Sequence, residues 1–446
     1  MTYLLVSLFS LFLSGWLFKK AAGSLNPFKP NLISYIFYYN FFLQSFVGSV
    51  LIINDLDYRF YFNDEVSFWG WAAIQYMLVV TPIGMILAKS AFLRKQSVEH
   101  ILNSYVSSAI NINFSGGRSL KWSVWAVSLI SIFSCLYVFW IIGYYPFSKF
   151  LQLSAHDLAT TRIESAREFS GNVYIKNLLA LSFTPFLSYV WFFYYKATKS
   201  FFDLIMFSVV FLMSLGILYY DFSKSPVLWY LISFVFAYFY LDGRSRKFAF
   251  FSCLGLVLVL IVLLYLNTDQ SFSVLLRYNF GPVGRVILSQ QAGLYNMFSI
   301  FPDIYDHIGF SSLSGFLADI FGYQGSLSAA RLTMMHVNPE GIADGTAGVQ
   351  NTLFIGEAWA NFGLVGVLLS PLWVGFCVQT LYIYILKSDK NPLFLAFFVF
   401  YSVGGSITGG LNAYIYNPEF ITYIIYITLI LFFALFLRQS LRTDNV

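Results

Sequence analysis

Repeated long apolar runs constrain what this chain can fold into more than any other feature. A helix of about 20 predominantly apolar residues spans the hydrocarbon layer of a bilayer. Charged residues make up 11% of the sequence, whereas soluble domains carry about 25%. We therefore predict an all-α polytopic membrane protein with about 11 transmembrane helices, at 2–18, 32–53, 67–88, 122–143, 173–195, 201–220, 226–241, 248–266, 360–386, 393–411 and 420–437.

The distribution of charge predicts the orientation of these helices. Cytoplasmic loops carry an excess of Lys and Arg. One side of the predicted bundle holds 17 of the 26 Lys and Arg residues, whereas 16 of the 21 Asp and Glu residues lie on the other side or at the span ends that face it. We expect the basic side to be cytoplasmic, with the N-terminus outside and the C-terminus inside. The net charge of +5 then reflects membrane anchoring, and no nucleic-acid partner is expected.

The cysteines and the first residues exclude other classes of protein. Cys135, Cys253 and Cys377 all fall in apolar segments, without the spacing of a disulfide framework or a metal site. We expect no metal and no cofactor. The N-terminal stretch lacks a basic region and a cleavage site, which predicts a retained first span.

The connections divide the predicted chain into three parts. Residues 1–266 hold the first eight spans and a medium external loop at 144–172. Residues 267–359 form a long external loop, and 360–446 hold the last three spans and a cytoplasmic tail. The stretch HIGFSSLSGFLADIFGY in the long loop has near-helical apolar spacing, which predicts a helix at the membrane interface. A second short helix is predicted in GSLSAARLTMMH, before a Gly-rich link.

Arginines in both external loops are candidate phosphate ligands, because the planar guanidinium binds phosphate oxygens in pairs. Arg162 and Arg167 lie in the medium loop, where a solvated helix with a Glu164–Arg167 ion pair is the alternative. Arg277 and Arg285 flank Gly281-Pro282, which should break a helix. Their alternative role is to anchor the chain at lipid head groups.

Four further candidates are Arg331, His336, His307 and Lys224. Arg331 lies in an otherwise uncharged predicted helix and needs either an internal acid or a ligand anion. His336 and His307 are external and could act as general bases, although a lone histidine is more often structural. Lys224 lies in a short external turn, where it either pairs with Asp221 or contacts a phosphate.

Glu357 and Asn361 lie one helical turn apart at the head of a span, in TLFIGEAWANFGLVGVLLSPLW. A carboxylate costs a few kcal/mol near the bilayer centre. We therefore expect this face to line an external polar pocket. Helix packing alone is the alternative, since Gly356, Gly363 and Gly366 permit close approach.

The run Gly356-Glu357, Asn361-Phe362-Gly363 and Gly366 resembles a Gly-Glu-x-x-x-Asn-Phe-Gly-x-x-Gly pattern of the Wzy-type polymerases, which join oligosaccharide repeat units of O-antigen and capsule. The resemblance extends over most of the chain in its plan of spans and two external loops, but only over 346–366 in sequence. It implies a fold similar to the GT-C glycosyltransferases. It also implies location in the bacterial inner membrane, with the chemistry on the outer face.

The resemblance further implies a substrate and roles for the candidate residues. The substrate would be undecaprenyl-pyrophosphate-linked oligosaccharide, and a chain-length regulator and the flippase of the same pathway would be partners, beside membrane lipids. Arginines would stabilise the leaving pyrophosphate: Arg162, Arg167, Arg277, Arg285 and Arg331, with Lys224 and Asn361 as further ligands. His336 or Glu357 would take the proton of the acceptor hydroxyl.

Three other functions stay open at this stage. A flippase for the same lipid-linked sugars would explain spans with internal charges, but transporters tend to show internal repeats, and none is evident. A non-catalytic scaffold would not need clustered external arginines. An O-antigen ligase would use the same donor with a different acceptor, but Gln350-Asn351 stands where the ligases carry a histidine.

Overall fold

The structure is a computed structural model. It describes residues 2–54, 62–94, 96–150, 165, 169–244, 247, 251, 255, 281–312, 315–323, 327–404 and 410–443. Within these ranges every regular element is helical. Nine helices there are long and apolar enough to cross a membrane: Thr2–Ala22, Leu32–Ile53, Asp64–Leu93, Arg118–Lys149, Ile175–Thr198, Phe201–Leu218, Lys224–Asp242, Phe354–Lys387 and Leu411–Gln439. The chain is therefore an α-helical multi-pass membrane protein.

These helices coincide with nine of the predicted spans. The predicted span at 248–266 lies outside the described residues except for 251 and 255. At 393–411, helix is present only over Pro392–Gly404, which is shorter than a membrane-spanning helix needs. The helix predicted to begin at residue 360 begins at Phe354. Its start was placed too late because hydropathy, rather than helix formation, set the predicted boundary.

Shorter helices connect and flank the long ones. The stretch predicted to form one interfacial helix contains two pieces, a 3-10 turn at Gly309–Ser312 and a helix at Gly315–Ile320. A helix is present in the second predicted stretch, at Ala329–Val337. The other short elements are Val98–Ser107, Phe114–Gly116, Pro282–Ile287, Ser289–Ile300 and Pro339–Ala343. Two of the nine long stretches are composite: Arg118–Lys149 joins Arg118–Ile142 to Pro146–Phe150, and Leu411–Gln439 joins the 3-10 turn Leu411–Tyr414 to the helix Pro418–Thr443.

The chain forms two compact units. The first comprises Met1–Leu102, Arg246–Leu386 and Gly405–Asn417, and the second comprises Asn103–Ser245, Lys387–Gly404 and Pro418–Val446. The first unit contains both the helix with Glu357 and the described part of the long loop. The three-part division predicted from the sequence remains a prediction.

In the first unit, the helix Asp64–Leu93 packs against other long helices through paired polar and aromatic groups. Trp71 donates its indole N–H to Ser7 Oγ at 2.9 Å. Tyr76 donates its hydroxyl to the Leu368 carbonyl at 2.9 Å. The Trp71–Ser7 bond is buried and satisfies polar atoms inside an apolar bundle, where an unpaired group is costly, whereas the Tyr76–Leu368 bond is exposed.

In the second unit, a buried lysine joins the ends of separate segments. The Lys390 ammonium donates to the carbonyls of Val106 at 2.8 Å, Ser108 at 2.7 Å and Leu241 at 3.2 Å. Val106 lies near the end of Val98–Ser107, and Leu241 lies at the end of Lys224–Asp242. Carbonyls at helix C-termini lack intrahelical donors, and a cation there is favourable. Lys390 therefore holds the two helix ends together.

Candidate functional site

The helix Phe354–Lys387, here called the kinked helix, contains a break at Gly363. Gly363 has φ +59° and ψ −141°, a conformation that residues with a Cβ rarely adopt. A Cβ added at this position would lie 2.8 Å from His307 Nε2. The glycine is therefore required both by the backbone and by the imidazole packed against it.

The glycine three residues later is required by the same kink. A Cβ added at Gly366 would collide with the Ala358 carbonyl oxygen. Carbonyls before a kink lose helical donors, and the Ile308 N–H donates to the Ala360 carbonyl at 3.1 Å. The Gly-x-x-Gly spacing in the sequence thus matches a sharp turn stabilised from outside by the segment that contains His307.

Aromatic contacts hold that segment against the kinked helix. The indole N–H of Trp359 donates to the Phe301 carbonyl at 2.9 Å. Phe298 stacks on the Trp359 ring at 4.7 Å, and His307 meets it edge-on at 5.3 Å. His307 therefore has a packing role at the kink, which matches the structural alternative considered for it.

Glu357 lies in the first turn of the kinked helix and is 6% exposed. Its Oε1 accepts hydrogen bonds from Asn412 Nδ2 at 2.7 Å and from Ser312 Oγ at 3.2 Å. Its Oε2 accepts from the Asn412 backbone N–H at 2.9 Å. A buried carboxylate is tolerable when hydrogen-bond donors replace its water, and these three donors do so.

Asn412 links the carboxylate to its neighbours. Its Nδ2 also lies 2.7 Å from Ser312 Oγ and within hydrogen-bond distance of the Ser312 carbonyl, so its two N–H groups are shared among these acceptors and Glu357 Oε1. Asn361 Nδ2 approaches Asn412 Oδ1 at 3.5 Å, so Glu357 and Asn361 do share one helix face. The Asn361 side chain is 2% exposed, and its Oδ1 has no hydrogen-bond partner among the described residues. We call Ser312, Glu357, Asn361 and Asn412 the Glu357 cluster.

The chemistry available to the Glu357 cluster follows from its partners. All donors to the carboxylate are neutral, and no basic side chain in the described ranges contacts it. Glu357 acts here as a hydrogen-bond acceptor that ties Gly309–Ser312 and Leu411–Tyr414 to the kinked helix. The unpaired Asn361 Oδ1 is the acceptor in the cluster that is left for another donor.

The other candidate residues are not brought to the Glu357 cluster by any contact within the described residues. Arg331 is half-buried and donates Nη1 to the Gly348 carbonyl at 2.7 Å, so its partner is neutral rather than an acid. His336 is exposed near the end of Ala329–Val337, and Arg285 is exposed on Pro282–Ile287. Arg162, Arg167 and Arg277 lie outside the described residues.

Lys224 lies in the second unit, at the first residue of Lys224–Asp242, and is exposed. It makes no ion pair with Asp221 in the described part of the chain. Asp221 instead accepts from the Ser223 N–H at 3.0 Å and from Ser223 Oγ at 2.8 Å. Of the two roles considered for Lys224, the pairing with Asp221 is therefore not formed.

A cleft of about 570 Å³ opens in the first unit beside the kink. The start of Asp64–Leu93, the segment 298–303 and the kinked helix on both sides of Gly363 line it. Trp359 belongs to this cleft and lies two residues after Glu357, about 200° around the helix. No residue of the Glu357 cluster is among the residues that line the cleft, so the two are separate features of the kinked helix.

Metal ligation is not evident in the described ranges, which contain no group of three or more His, Cys, Asp or Glu side chains able to hold an ion. Comparison with known proteins gives no further assignment: no family model, no curated protein and no solved structure matches the chain.

Proposed function

We propose that this protein polymerises undecaprenyl-pyrophosphate-linked oligosaccharide repeat units on the outer face of the bacterial inner membrane. The growing glycan would move from its own lipid carrier to the non-reducing end of the next lipid-linked unit. The proposal includes a GT-C-like bundle of about 11 spans, with the N-terminus periplasmic and the C-terminus cytoplasmic.

One observation supports the proposal most directly. The residues that resemble the polymerase pattern have distinct structural roles at one place in the fold: Glu357 and Asn361 meet at Asn412, while Gly363 and Gly366 form the kink. A packing motif alone would explain the glycines. It would not explain a carboxylate and an unpaired amide oxygen buried at the head of a span.

The reaction needs three events at the transferred sugar. The acceptor hydroxyl oxygen forms a bond to the anomeric carbon, the bond from that carbon to the pyrophosphate oxygen breaks, and the hydroxyl proton passes to a base. The pyrophosphate leaves on its lipid with the bonding electrons. Arginines suit the leaving group, and Arg285 and Arg331 are the described external candidates. His336 or Glu357 would be the base.

Both carboxylate oxygens of Glu357 already accept hydrogen bonds from Ser312 or Asn412, and this limits how Glu357 could act as a base in the reaction. As a base it would have to exchange a donor from Ser312 or Asn412 for the acceptor hydroxyl. His336 is exposed and has no such constraint. The two assignments therefore differ in what a substitution should do, since Glu357→Gln would alter stability as well as activity and His336→Gln would alter activity alone.

The test is a reaction of the purified full-length protein in proteoliposomes with its lipid-linked repeat unit, resolved as a ladder on a gel. Wild type should give a ladder of repeat units, and Arg331→Ala should give single units at equal amounts of folded protein. Glu340→Gln, on the exposed surface of the long loop, is the matched control for Glu357→Gln.

Other outcomes would assign another function. Movement of the intact lipid-linked unit across the bilayer without a ladder would indicate a flippase. Transfer of a preformed glycan to a different acceptor, without elongation, would indicate a ligase. Retained full chain length in both Arg285→Ala and Arg331→Ala would contradict the assignment of these arginines to the pyrophosphate.

A further inference from the structure

The cleft beside the kink has an apolar wall and an acidic rim. Leu364, Val367 and Leu368 of the kinked helix form part of the wall. Trp69 lines the cleft with 51% of its surface exposed, so much of its ring is free to contact a ligand. An aromatic ring of this kind offers a flat apolar surface for the C–H face of a sugar ring or for a lipid chain.

Two carboxylates, Glu65 and Asp303, lie among the lining residues and are exposed. Neither forms a hydrogen bond or an ion pair with any residue in the described ranges. Each can accept hydrogen bonds from hydroxyl groups, and bonds to a charged acceptor are stronger than those between neutral groups. The polar side of the cleft therefore favours ligands that donate.

The negative charge of the cleft opposes binding of the pyrophosphate of a lipid-linked sugar. No Lys, Arg or His is among the described residues that line it. A pyrophosphate carries several negative charges, and two nearby carboxylates would repel it. The pyrophosphate of a lipid-linked substrate must therefore lie elsewhere, whereas its hydroxyl-rich sugar residues fit the cleft.

We propose that this cleft is a carbohydrate-binding site for sugar-headed amphiphiles. A sugar residue stacks on Trp69 and donates hydroxyl hydrogen bonds to Glu65 and Asp303, while an apolar group follows the Leu364–Leu368 wall. Because none of Arg331, His336 and Glu357 lines the cleft, this site holds the glycan and does not carry out its transfer. The assignment of this site to the repeat-unit glycan rests on the proposed function. The binding of sugar-headed amphiphiles as a class does not.

Photolabelling tests the ligand class without catalysis. The full-length protein in nanodiscs is irradiated with a diazirine-bearing alkyl glucoside, and labelled peptides are mapped by mass spectrometry. Label should concentrate in 63–76, 298–303 and 359–368. Octyl glucoside should compete with the label, and octyl phosphate should not. Competition by octyl phosphate equal to that by octyl glucoside would overturn the proposal, as would label spread evenly over the apolar helices.

Variants of the cleft distinguish specific binding of the alkyl glucoside, by stacking and hydrogen bonding, from its simple partition into lipid. Trp69→Ala and the double variant Glu65→Gln, Asp303→Asn should each lower labelling of the cleft about tenfold, the effect expected from losing hydrogen bonds to charged groups or an aromatic contact. Trp140→Ala and Asp306→Asn are matched controls at exposed positions outside the cleft. Unchanged labelling in the cleft variants would overturn the proposal.

The polymerisation assay distinguishes the failure of this site from the failure of the proposed function. If the chain is a polymerase, the cleft variants should raise KM for the lipid-linked unit about tenfold and leave kcat near wild type. A lowered kcat at unchanged KM would contradict a holding role. Labelling as predicted in a protein that makes no ladder would retain the carbohydrate site and reject the polymerase.

Discussion

Glu357 and Asn412 are joined by two hydrogen bonds, from the Asn412 backbone N–H to Oε2 at 2.9 Å and from its side-chain Nδ2 to Oε1 at 2.7 Å. The two residues lie 55 positions apart in the chain. The pair attaches the turn Leu411–Tyr414 to the first turn of the kinked helix. It thereby gives a buried carboxylate a defined structural position.

The first prediction concerns this pair. Glu357→Gln should lower the free energy of unfolding by about 1–3 kcal/mol, because one carboxylate oxygen becomes an amide that cannot accept the bonds it replaces. Thermal unfolding in detergent measures the loss. Glu340→Gln should leave the midpoint unchanged. Asn412→Ala should lower the free energy of unfolding by a similar amount. The double variant should lose clearly less than the sum of the two single losses, since both changes remove the same bonds.

The second prediction concerns the kink. Gly363→Ala should destabilise the protein by about 1–3 kcal/mol, because alanine is strained at this φ and ψ. Its Cβ would also meet the His307 ring. Gly404→Ala is the control, since its Cβ would make only ordinary contacts with Phe400 at 3.7 Å.

A double variant separates the two causes of the Gly363 effect. His307→Ala in the Gly363→Ala background should restore part of the lost stability, since it removes the side chain that the new Cβ meets. The backbone strain would remain. Full additivity of the two losses would mean that His307 does not pack against the kink.

The third prediction concerns Lys390 in the second unit. Lys390→Met should lower the free energy of unfolding by about 1–3 kcal/mol, because it leaves carbonyls of Val106, Ser108 and Leu241 without their donor in a buried place. The unfolding midpoint of the purified protein measures this. Lys19→Met, at an exposed position, should have no comparable effect.

The fourth prediction is a pH dependence of stability. Burial lowers the pKa of Lys390 to about 8, although the Asp242 charge acts in the opposite direction. In the unfolded chain the pKa of a lysine is about 10.4. Between these two pKa values the unfolded chain binds more protons at Lys390 than the folded protein does. The contribution of Lys390 to the free energy of unfolding should therefore rise with pH in this range. Below about pH 8 both states are protonated and the contribution is constant.

Unfolding midpoints from pH 7 to 10 measure the effect as the difference between wild type and Lys390→Met. Other titrating groups act in both proteins and cancel. The stability of wild type relative to the variant should increase above pH 8. A difference that stays constant or shrinks over this window would mean that the ammonium is not disfavoured by burial.

The fifth prediction is the orientation in the membrane. Glu340→Cys, in the long loop, should react with a membrane-impermeant maleimide in intact spheroplasts. Glu99→Cys, on the basic side, should react only after permeabilisation. The native cysteines lie in apolar segments, and the wild-type protein measures their background. The reverse pattern would place the long loop in the cytoplasm and reject the external site.

The sequence was most informative about the helices that cross the membrane. Apolar runs located nine of them, because a bilayer demands long apolar segments whatever they pack against. Proximity of Glu357 and Asn361 was also predictable, since four residues make one helical turn. The helix start at Phe354 was missed because FIGEAW is helical without being uniformly apolar.

Contacts between distant residues were not predictable in the same way. Asn412 is one asparagine in a turn, and nothing in its local pattern points to Glu357. Lys390 reads as an ordinary cytoplasmic lysine, yet it binds carbonyls from segments far apart in the chain. Glu65 and Trp69 were missed because acids and aromatics are common at span ends. Only the fold shows that they line a cleft together.

The reaction of purified protein in proteoliposomes with its lipid-linked repeat unit, read as a ladder on a gel, tests the proposed polymerase activity most directly. Wild type and Glu340→Gln should both give polymer. Arg331→Ala, shown to be folded by an unchanged unfolding midpoint, should give only single units. Single units from folded wild-type protein that binds the substrate would contradict a polymerase, and transport of the same lipid would then be the function to examine.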